Sequence, residues 1–427
     1  MSSSTDYDIV IAGGGMVGAS LALLLNNYSD DRLKILVIES FSANETDNSM
    51  ARPSFDARST ALSYSSRLVL ESLGLFSPLS EYCAPINSIH VGERGRLGSA
   101  VMSRDEVDWP SLGYVVENAY LGKVLLEAVD KNSNIEFYCP ACAISINTQS
   151  QGVLVEVEHK EQGKNKIRAQ LAIVADGAQS ELRRQLGIVA KIHNYQQTAL
   201  IANVSFTKPH NGRAYERFTD QGPMALLPLT DSERGEPRSA LVWTMAEAQA
   251  DTLRQSEDKA FLRALQQRFG QRQGEFIRVG ARASYPLMMI QAQEQVRSSI
   301  VVMGNAAHSL HPVAGQGFNL ALRDCARLAV VTASALNEGV PLGNLSSLTR
   351  YLSQQQFDQQ KTLAFSDYLP AIFSNRLWGL SSLRRLGLSA LDVVPAAKKY
   401  FIRHAAGLHD GAAALPRGQT QQATHEY

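Results

Sequence analysis

The chain has 427 residues, which is enough to bury a large core and to form two or three domains. Its 41 Lys and Arg residues balance its 41 Asp and Glu residues, so no net positive charge favours nucleic acid as a partner. The sequence begins without the basic and apolar regions of a signal peptide, and no apolar run reaches the roughly 20 residues of a spanning helix. We therefore expect a cytoplasmic globular protein.

The N-terminal segment "YDIVIAGGGMVGASLALLL" predicts a strand, a glycine-rich turn and a helix. The glycines are spaced as Gly13-x-Gly15-x-x-Gly18, which permits a tight turn and brings backbone N–H groups to a pyrophosphate. A second strand, "LKILVIES", ends at Glu39, about 20 residues further on, where a carboxylate can accept the hydroxyls of an adenosine ribose. This combination predicts a dinucleotide site and leaves NAD and FAD open.

The chain then departs from the pattern of a nicotinamide dehydrogenase. A polar loop leads into "FDARSTALSYSSRLVLESLGLF", which we interpret as a loop at a strand edge followed by an amphipathic helix. Strand-like sequence is expected to resume only near Ile135. Cys139 and Cys142 form a Cys-x-x-Cys, but a strand-like pattern follows it and the four cysteines of the chain include no second such pair. We therefore interpret them as buried or strand-end thiols.

Two later segments repeat the order of strand, glycine and helix. A strand ending at Asp176-Gly177 is followed by a helix near Ser180, and such an Asp-Gly is either a ligand-binding strand end or a simple turn. The third segment is "SIVVMGNAAHSLHPVAGQGFNLALRD". Its His308 and His311 do not predict a metal site, because Pro312 disfavours helical geometry at His311 and no third ligand precedes Asp324.

Together these segments resemble the single-component FAD aromatic monooxygenases, and among them the ubiquinone-biosynthesis flavin hydroxylases. The resemblance runs from about Tyr7 to Gly407 and depends on "FDARSTALS", "GYVVENAYLGKVL", "AYERFTDQGPMALLPL" and "HPVAGQGFNLALRD". One departure is Asn305, where the wider family has Asp; Asn keeps an acceptor oxygen but loses the charge. Gly-Asn-Ala-Ala is familiar from the branch that hydroxylates 2-polyprenyl-6-methoxyphenol.

The resemblance implies an α/β protein with a Rossmann-like FAD-binding domain, an inserted mixed β-sheet substrate domain and C-terminal helices. The FAD-binding domain is expected to comprise residues 1–75, 111–190 and 296–365, and the substrate domain residues 76–110 and 191–295. In the latter, "TALIANVSF", "AYERF", "MALLPL" and "SALVWTM" predict strands and "DKAFLRALQQRF" a helix. Residues 366–408 are expected to form helices, and residues 409–427 a disordered tail.

The resemblance also implies a reaction. FAD, NAD(P)H and O₂ would hydroxylate the ring of a polyprenyl (methoxy)phenol through a C4a-hydroperoxyflavin. We assign no catalytic residue, since the flavin carries the chemistry, and His311 is only a candidate. The alternatives are another flavin oxidoreductase, such as a small-phenol hydroxylase or a prenyl reductase, and a non-catalytic flavin-binding subunit of a quinone-synthesis complex. The residues implied to contact the cofactor are Gly13, Gly15, Gly18, Glu39, Arg58, Asp176, Gly177, Gly304, Asn305, Pro312, Gly315, Gln316 and Gly317.

The segment from Asp367 to Arg403 is locally basic, with six bases against two acids and with Leu and Trp residues between them. Two interpretations are open. The segment could lie on the inner face of the cytoplasmic membrane as a peripheral contact, or its helices could pack on the FAD domain with basic outer faces. Other quinone-biosynthesis proteins are further candidate partners. The bases are Arg376, Arg384, Arg385, Lys398, Lys399 and Arg403.

Overall fold

The computed structural model of the protein describes residues 6–41, 58–93, 99–310, 315–374 and 395–408. Strands and helices are labelled here in chain order. The first sheet has eight strands in the order β18–β19–β11–β1–β2–β8, with β10 pairing β11 and β9 pairing β10. These strands are β1 (Tyr7–Ala12), β2 (Ile35–Ile38), β8 (Ile135–Tyr138), β9 (Ala141–Thr148), β10 (Val153–His159), β11 (Gly163–Val174), β18 (Val296–Arg297) and β19 (Ile300–Val302).

The centre of this sheet is parallel and buried on both faces, which explains why β1 and β2 are almost continuously apolar. Ile9 and Ile11 pack in a core with residues of the helices, whereas Val10 and Ala12 pack in a core with residues of β9 and β10. The helices of the first core are α1 (Met16–Tyr28), α2 (Tyr64–Ser72), α3 (Phe76–Ser80), α4 (Asn118–Asp130), α8 (Gln316–Asn337) and α9 (Leu345–Ser374).

The second sheet has nine strands in the order β20–β17–β12–β15–β14–β13–β5–β6, with β16 pairing β12. Its middle strands coincide with the four segments predicted from the sequence. Helices α6 (Glu247–Gln255) and α7 (Asp258–Phe269) cover one face of it, and α7 is the predicted helix. The strands are β5 (Ser88–Glu93), β6 (Ser99–Ser103), β12 (Ala190–Phe206), β13 (Arg213–Phe218), β14 (Pro223–Leu229), β15 (Arg238–Met245), β16 (Phe276–Val279), β17 (Ala283–Ala292) and β20 (His308–Ser309).

A third, antiparallel sheet corrects one expectation. It contains β3 (Ser59–Ser63), β4 (Ala84–Ile86) and β7 (Gly113–Glu117), so with β5 and β6 five strands lie between β2 and Ile135, where we expected none. Strands of three to six residues are too short for a clear alternation of apolar and polar side chains, which is why the sequence pattern missed them. Strands β5 and β6 pair within the second sheet. Strand pairing does not test the expected domain boundaries, so the division into domains remains a prediction.

Two short helices complete the described chain, α5 (Glu181–Gln185) and α10 (Pro395–Ala405). The expectation of an outward-facing basic Lys398 is wrong, because its Nζ lies 2.6 Å from Glu106 Oε1 and its side chain is 10% exposed. Arg376, Arg384, Arg385 and the tail 409–427 lie outside the described residues. Within the described ranges, no helix is both long enough and apolar enough to cross a membrane. Cys139 follows β8 and Cys142 lies in β9, and both are free thiols.

Candidate active site

The glycine turn between β1 and α1 has no room for side chains at two of its glycines. Gly13 has a φ of +111°, and a Cβ there would lie 2.3 Å from the carbonyl oxygen of Ala175. A Cβ at Gly18 would lie 1.8 Å from the carbonyl oxygen of Gly13. Gly15 is the N-cap of α1 and provides no side-chain cap, and the first turn of α1 carries no acidic residue. The turn thus presents the uncapped, electropositive end of a helix.

Glu39 lies against this turn at the end of β2. Its carboxylate accepts a hydrogen bond from the backbone N–H of Gly14 at 2.8 Å and another from the N–H of Phe41 at 3.0 Å. These bonds hold a negative charge beside the glycine turn, at the carboxyl edge of the sheet. That is where a ribose hydroxyl pair attached to a bound pyrophosphate would arrive.

Asp176 and Gly304 follow the neighbouring parallel strands β11 and β19, so their loops meet the glycine turn at the same sheet edge. Burial raises the pKa of Asp176 above its ordinary value, against the opposing effect of hydrogen bonds with Ser180 and Leu182. A Cβ at Gly304 would lie 3.1 Å from Val17 Cγ1 of α1, so this loop packs directly on the first helix. Gly177 has a φ of +95°, and Asn305 is exposed.

The N-terminus of α8 packs on β3. Gly315 is its N-cap, with a φ of +60°, and a Cβ there would lie 3.2 Å from the Cβ of Ala61. Asn319, 1% exposed, donates hydrogen bonds from Nδ2 to the carbonyl oxygens of Ala61 and Gly315, each at 2.8 Å. Its Oδ1 accepts from Ser63 N at 2.8 Å. Asn319 therefore fixes the start of α8 relative to β3.

The remaining predicted residues of this loop are only partly described. Gln316 is buried and donates from Nε2 to the carbonyl oxygen of Ala405 at 3.3 Å, which links the start of α8 to α10. Gly317 lies in the first turn of α8, with nothing within 4 Å of the position that a Cβ would occupy outside the helix's own backbone. His311 and Pro312 lie outside the described residues.

Arg58 directly precedes β3 and reaches the second sheet. Its guanidinium carbon lies 4.9 Å from the ring centroid of Tyr285, a cation–π contact. Tyr285 pairs with Ala199 in the register of β12 and β17. Arg58 thus joins the part of the protein that carries the glycine turn to the face of the second sheet that α6 and α7 do not cover.

That uncovered face of the second sheet is apolar and only partly closed. On β15, Leu241 is fully buried beneath α6 and α7, whereas Val242 on the other face is half-buried. Ile201 and Val91 on this face are also half-buried. Further along the same face, Ala240 packs in a separate core with β4, β7 and α10. The open part of this face can therefore contact a flat, apolar ligand.

A buried hydrogen-bonded pair lies behind the third glycine loop. His308 Nε2 and Asp324 Oδ2 are 2.6 Å apart, and both side chains are 1% exposed. Gln359 of α9 donates from Nε2 to the same Asp324 oxygen at 3.1 Å. His308 thus anchors β20 to α8 and α9, which is a structural role. Among the described residues no group of His, Cys, Asp and Glu side chains could hold a metal ion.

Comparison with known proteins identifies the family to which this chain belongs. Residues 6–351 match the family model described as "FAD binding domain". The chain is 32% identical over 400 residues to the ubiquinone hydroxylase UbiL of Rhodospirillum rubrum, covering 94% of this chain and 89% of that protein. It is 32% identical over 403 residues to the 3-demethoxyubiquinol 3-hydroxylase of Escherichia coli, covering 94% and 98%. The chain belongs to the ubiquinone-biosynthesis flavin hydroxylases.

The fold of this flavin hydroxylase agrees with solved structures at low sequence identity. The p-nitrophenol 4-monooxygenase PnpA of Pseudomonas putida superposes with a TM-score of 0.76 at 17% identity, covering 95% of this chain and all of that one. The flavin-dependent brominase Bmp2 superposes with a TM-score of 0.72 at 14% identity, covering 99% and 100%. These likenesses show the fold alone. The family membership shows an FAD-dependent aromatic-ring hydroxylase with NAD(P)H as electron donor.

The residues of the hydroxylase fit this cofactor. A glycine turn that excludes Cβ atoms, an uncapped helix N-terminus and an adjacent carboxylate could together hold the pyrophosphate and ribose of FAD. Sequence reasoning missed Asn319 and the pairing of His308 with Asp324. The available signal was the presence of Asn and Asp inside the otherwise apolar stretch that forms α8.

Proposed function

We propose that the protein hydroxylates the aromatic ring of a polyprenyl methoxyphenol in ubiquinone biosynthesis. The observation that carries this proposal is the 32% identity, over nearly the whole chain, with two enzymes named as a ubiquinone hydroxylase and a demethoxyubiquinol hydroxylase. The half-buried apolar face of the second sheet supports it, since such a surface suits a ring with a long hydrocarbon tail.

The proposed roles of the protein follow from its geometry. Gly13, Gly15 and Gly18 hold the FAD pyrophosphate on the N-terminus of α1, and Glu39 accepts the ribose hydroxyls. FAD held at these residues would supply the activation of O₂ for transfer of one oxygen atom to the ring. The remaining proposed cofactor contacts are Arg58, Asp176, Gly177, Gly304, Asn305, Pro312, Gly315, Gln316 and Gly317.

The second sheet orients the substrate and keeps water from the reacting ring. Its open face carries aliphatic side chains of several strands, and Arg58 closes one end by its contact with Tyr285. Water must be excluded because, in its presence, the activated oxygen is released as hydrogen peroxide instead of reacting with the ring.

Deletion of the gene followed by identification of the accumulated quinone precursor tests the proposal. A polyprenyl methoxyphenol should accumulate, and unchanged quinone levels would contradict it. Purified protein should be yellow and should consume NAD(P)H in the presence of 2-geranyl-6-methoxyphenol with formation of a hydroxylated product. Consumption with small phenols alone, or reduction of the prenyl chain, would favour a different flavin oxidoreductase. FAD binding without any turnover would favour a non-catalytic subunit of a quinone-synthesis complex.

We also propose that the protein contacts the membrane surface through an aromatic and basic patch on α9 and α10. Tyr400 is 67% exposed and stacks on His404, and Phe357 is 58% exposed beneath the ammonium group of Lys361. Aromatic rings beside lysines favour the headgroup region of an anionic bilayer. Lys399 and Arg403 are exposed on the same helix as Tyr400. Charge reversal at both should reduce flotation with anionic liposomes, and unchanged flotation would contradict the proposal.

A further inference from the structure

Glu216 is an acidic side chain in the middle of the open, apolar face of the second sheet. On β13, Tyr215 packs in the core beneath α6 and α7, whereas Ala214 packs on the other side of the sheet. Because side chains alternate along a strand, Glu216 lies on the same face as Ala214. Its register partners across β5 and β14 are Val91 and Ala225, and the row continues through Val242 and Ile201. Glu216 is the one ionisable side chain among these five.

The carboxylate of Glu216 is half-buried and, among the described residues, has no hydrogen bond or ion pair. Two acids beside this sheet, by contrast, are paired with arginines of its strands. Glu117 accepts from Arg238 at 3.1 Å, and Glu236 accepts from Arg278 at 2.8 Å. A partly desolvated carboxylate without a partner opposes folding, so its place on an otherwise aliphatic surface indicates a ligand that supplies the missing hydrogen.

The row formed by Glu216, Val91, Ala225, Val242 and Ile201 contains no positively charged side chain that would keep the Glu216 carboxylate ionised. Strand β14 has no ionisable residue, and on β5 His90 lies on the other face, where Arg272 Nη1 is 2.6 Å from its Nε2. Helix α9 also touches β13, but Asp358 on it pairs with Arg323, and Lys361 lies over Phe357. Burial accordingly raises the pKa of Glu216 to about 7.

We propose that Glu216 is the general base that accepts the proton of the substrate's phenol hydroxyl during ring hydroxylation. This inference rests on the proposed function. The proton moves from the phenol oxygen to a Glu216 Oε, and the electron pair left on the phenolate is delocalised into the ring. The ring carbon then forms a bond to one oxygen derived from O₂ while the O–O bond breaks. The ring carbon loses its hydrogen as a proton when aromaticity returns, and the phenolate oxygen takes up a proton in its place. The second oxygen leaves as water, with two electrons supplied by NAD(P)H and protons from solvent, and Glu216 returns its proton to solvent.

The geometry and the chemistry agree. A ring lying flat on Ala225 and Val242 would bring its hydroxyl to the neighbouring strand that carries Glu216. A base works best when its pKa lies near the working pH, which is the effect of partial burial at this position. Because Glu216 is only half-buried, its proton has a route to solvent.

The test compares FAD-loaded wild-type protein with Glu216→Gln, using 2-geranyl-6-methoxyphenol, NAD(P)H and O₂. We expect Glu216→Gln to keep its FAD and its KM, to lower kcat by about 10²- to 10³-fold and to lose the rise of activity with pH near neutrality. Glu216→Asp should recover part of kcat. Glu158→Gln, which removes an exposed carboxylate on β10, should match the wild type.

Each other outcome has a defined meaning. If the kcat of Glu216→Gln stayed within about threefold of wild type and still rose with pH near neutrality, the proposal would be overturned. A raised KM with unchanged kcat would assign Glu216 to substrate binding and also overturn it. Should Glu216→Gln lose FAD, Glu216→Ala with added acetate decides, because a base is rescued by a small carboxylate and a structural side chain is not. Absence of hydroxylation by the wild-type protein would instead refute the proposed function.

Discussion

Replacement of Asn319 by Ala should destabilise the protein and weaken FAD binding together. The side chain is 1% exposed and makes four hydrogen bonds of 2.7–2.8 Å: two to β3, one to Ser66 of α2 and one to Gly315 at the start of α8. Loss of the acceptor leaves the buried N–H of Ser63 without this partner, which costs about 1–3 kcal/mol. Loss of the bonds to the carbonyl oxygens of Ala61 and Gly315 costs about 0.5–1.5 kcal/mol each. Ser66 keeps a bond to Ser63 Oγ at 3.1 Å, so its contribution is small.

The expected total is about 2–6 kcal/mol in the free energy of unfolding, measured by urea denaturation of the FAD-free protein. Because the start of α8 is part of the proposed cofactor site, fluorescence titration should also show weaker FAD binding. Asn147→Ala removes an exposed asparagine that bonds only weakly to Ser145 and serves as the matched control. A loss for Asn319→Ala below about 1 kcal/mol, or equal to that of the control, would refute the hydrogen-bond argument.

Three further changes test the site. Gly18→Ala should abolish FAD binding in a fluorescence titration, because its Cβ would overlap a backbone oxygen at 1.8 Å; Gly280→Ala, with its nearest atom at 3.5 Å, should bind FAD normally. Asn305→Asp should bind FAD as well as wild type or better, since Asn305 is exposed and a charge there costs little; a collapse of affinity would contradict the placement of this loop. The folded state holds the Glu216 proton up to a pKa of about 7, above the ordinary 4.5, so stability should fall as pH rises between these values. Urea unfolding of Glu216→Gln should show this fall reduced, and an unchanged slope would place its origin elsewhere.

Much of the fold and of the candidate cofactor site could be predicted from the sequence because the signals are local. Glycine spacing, an apolar strand and a carboxylate at the next strand end lie within one βαβ unit, and their geometry follows from backbone sterics. The long strands and α7 of the second sheet were predicted correctly for the same reason. The short strands β3–β7 were missed, since a few residues cannot show a period.

One further error came from a charge considered without its partner. Lys398 counted as an outward base in the sequence, but Glu106, nearly 300 positions away, pairs with it. For His308 the sequence argued against a metal site but did not predict its partner Asp324, because the loop between β20 and α8 leaves their distance undefined until the chain has folded.

The sequence by itself predicted a dinucleotide site and the order of the three glycine loops, because each depends on residues close together in the chain. The choice of FAD and the family came from a resemblance of several segments spread over nearly the whole sequence. Only the tertiary structure decided which side chains face the space above the second sheet. Glu216 stands out there because Val91, Ala225, Val242 and Ile201, drawn from four other strands, line up beside it in register. Strand order and register are set by the packing of the whole domain, and no local pattern around residue 216 contains that information.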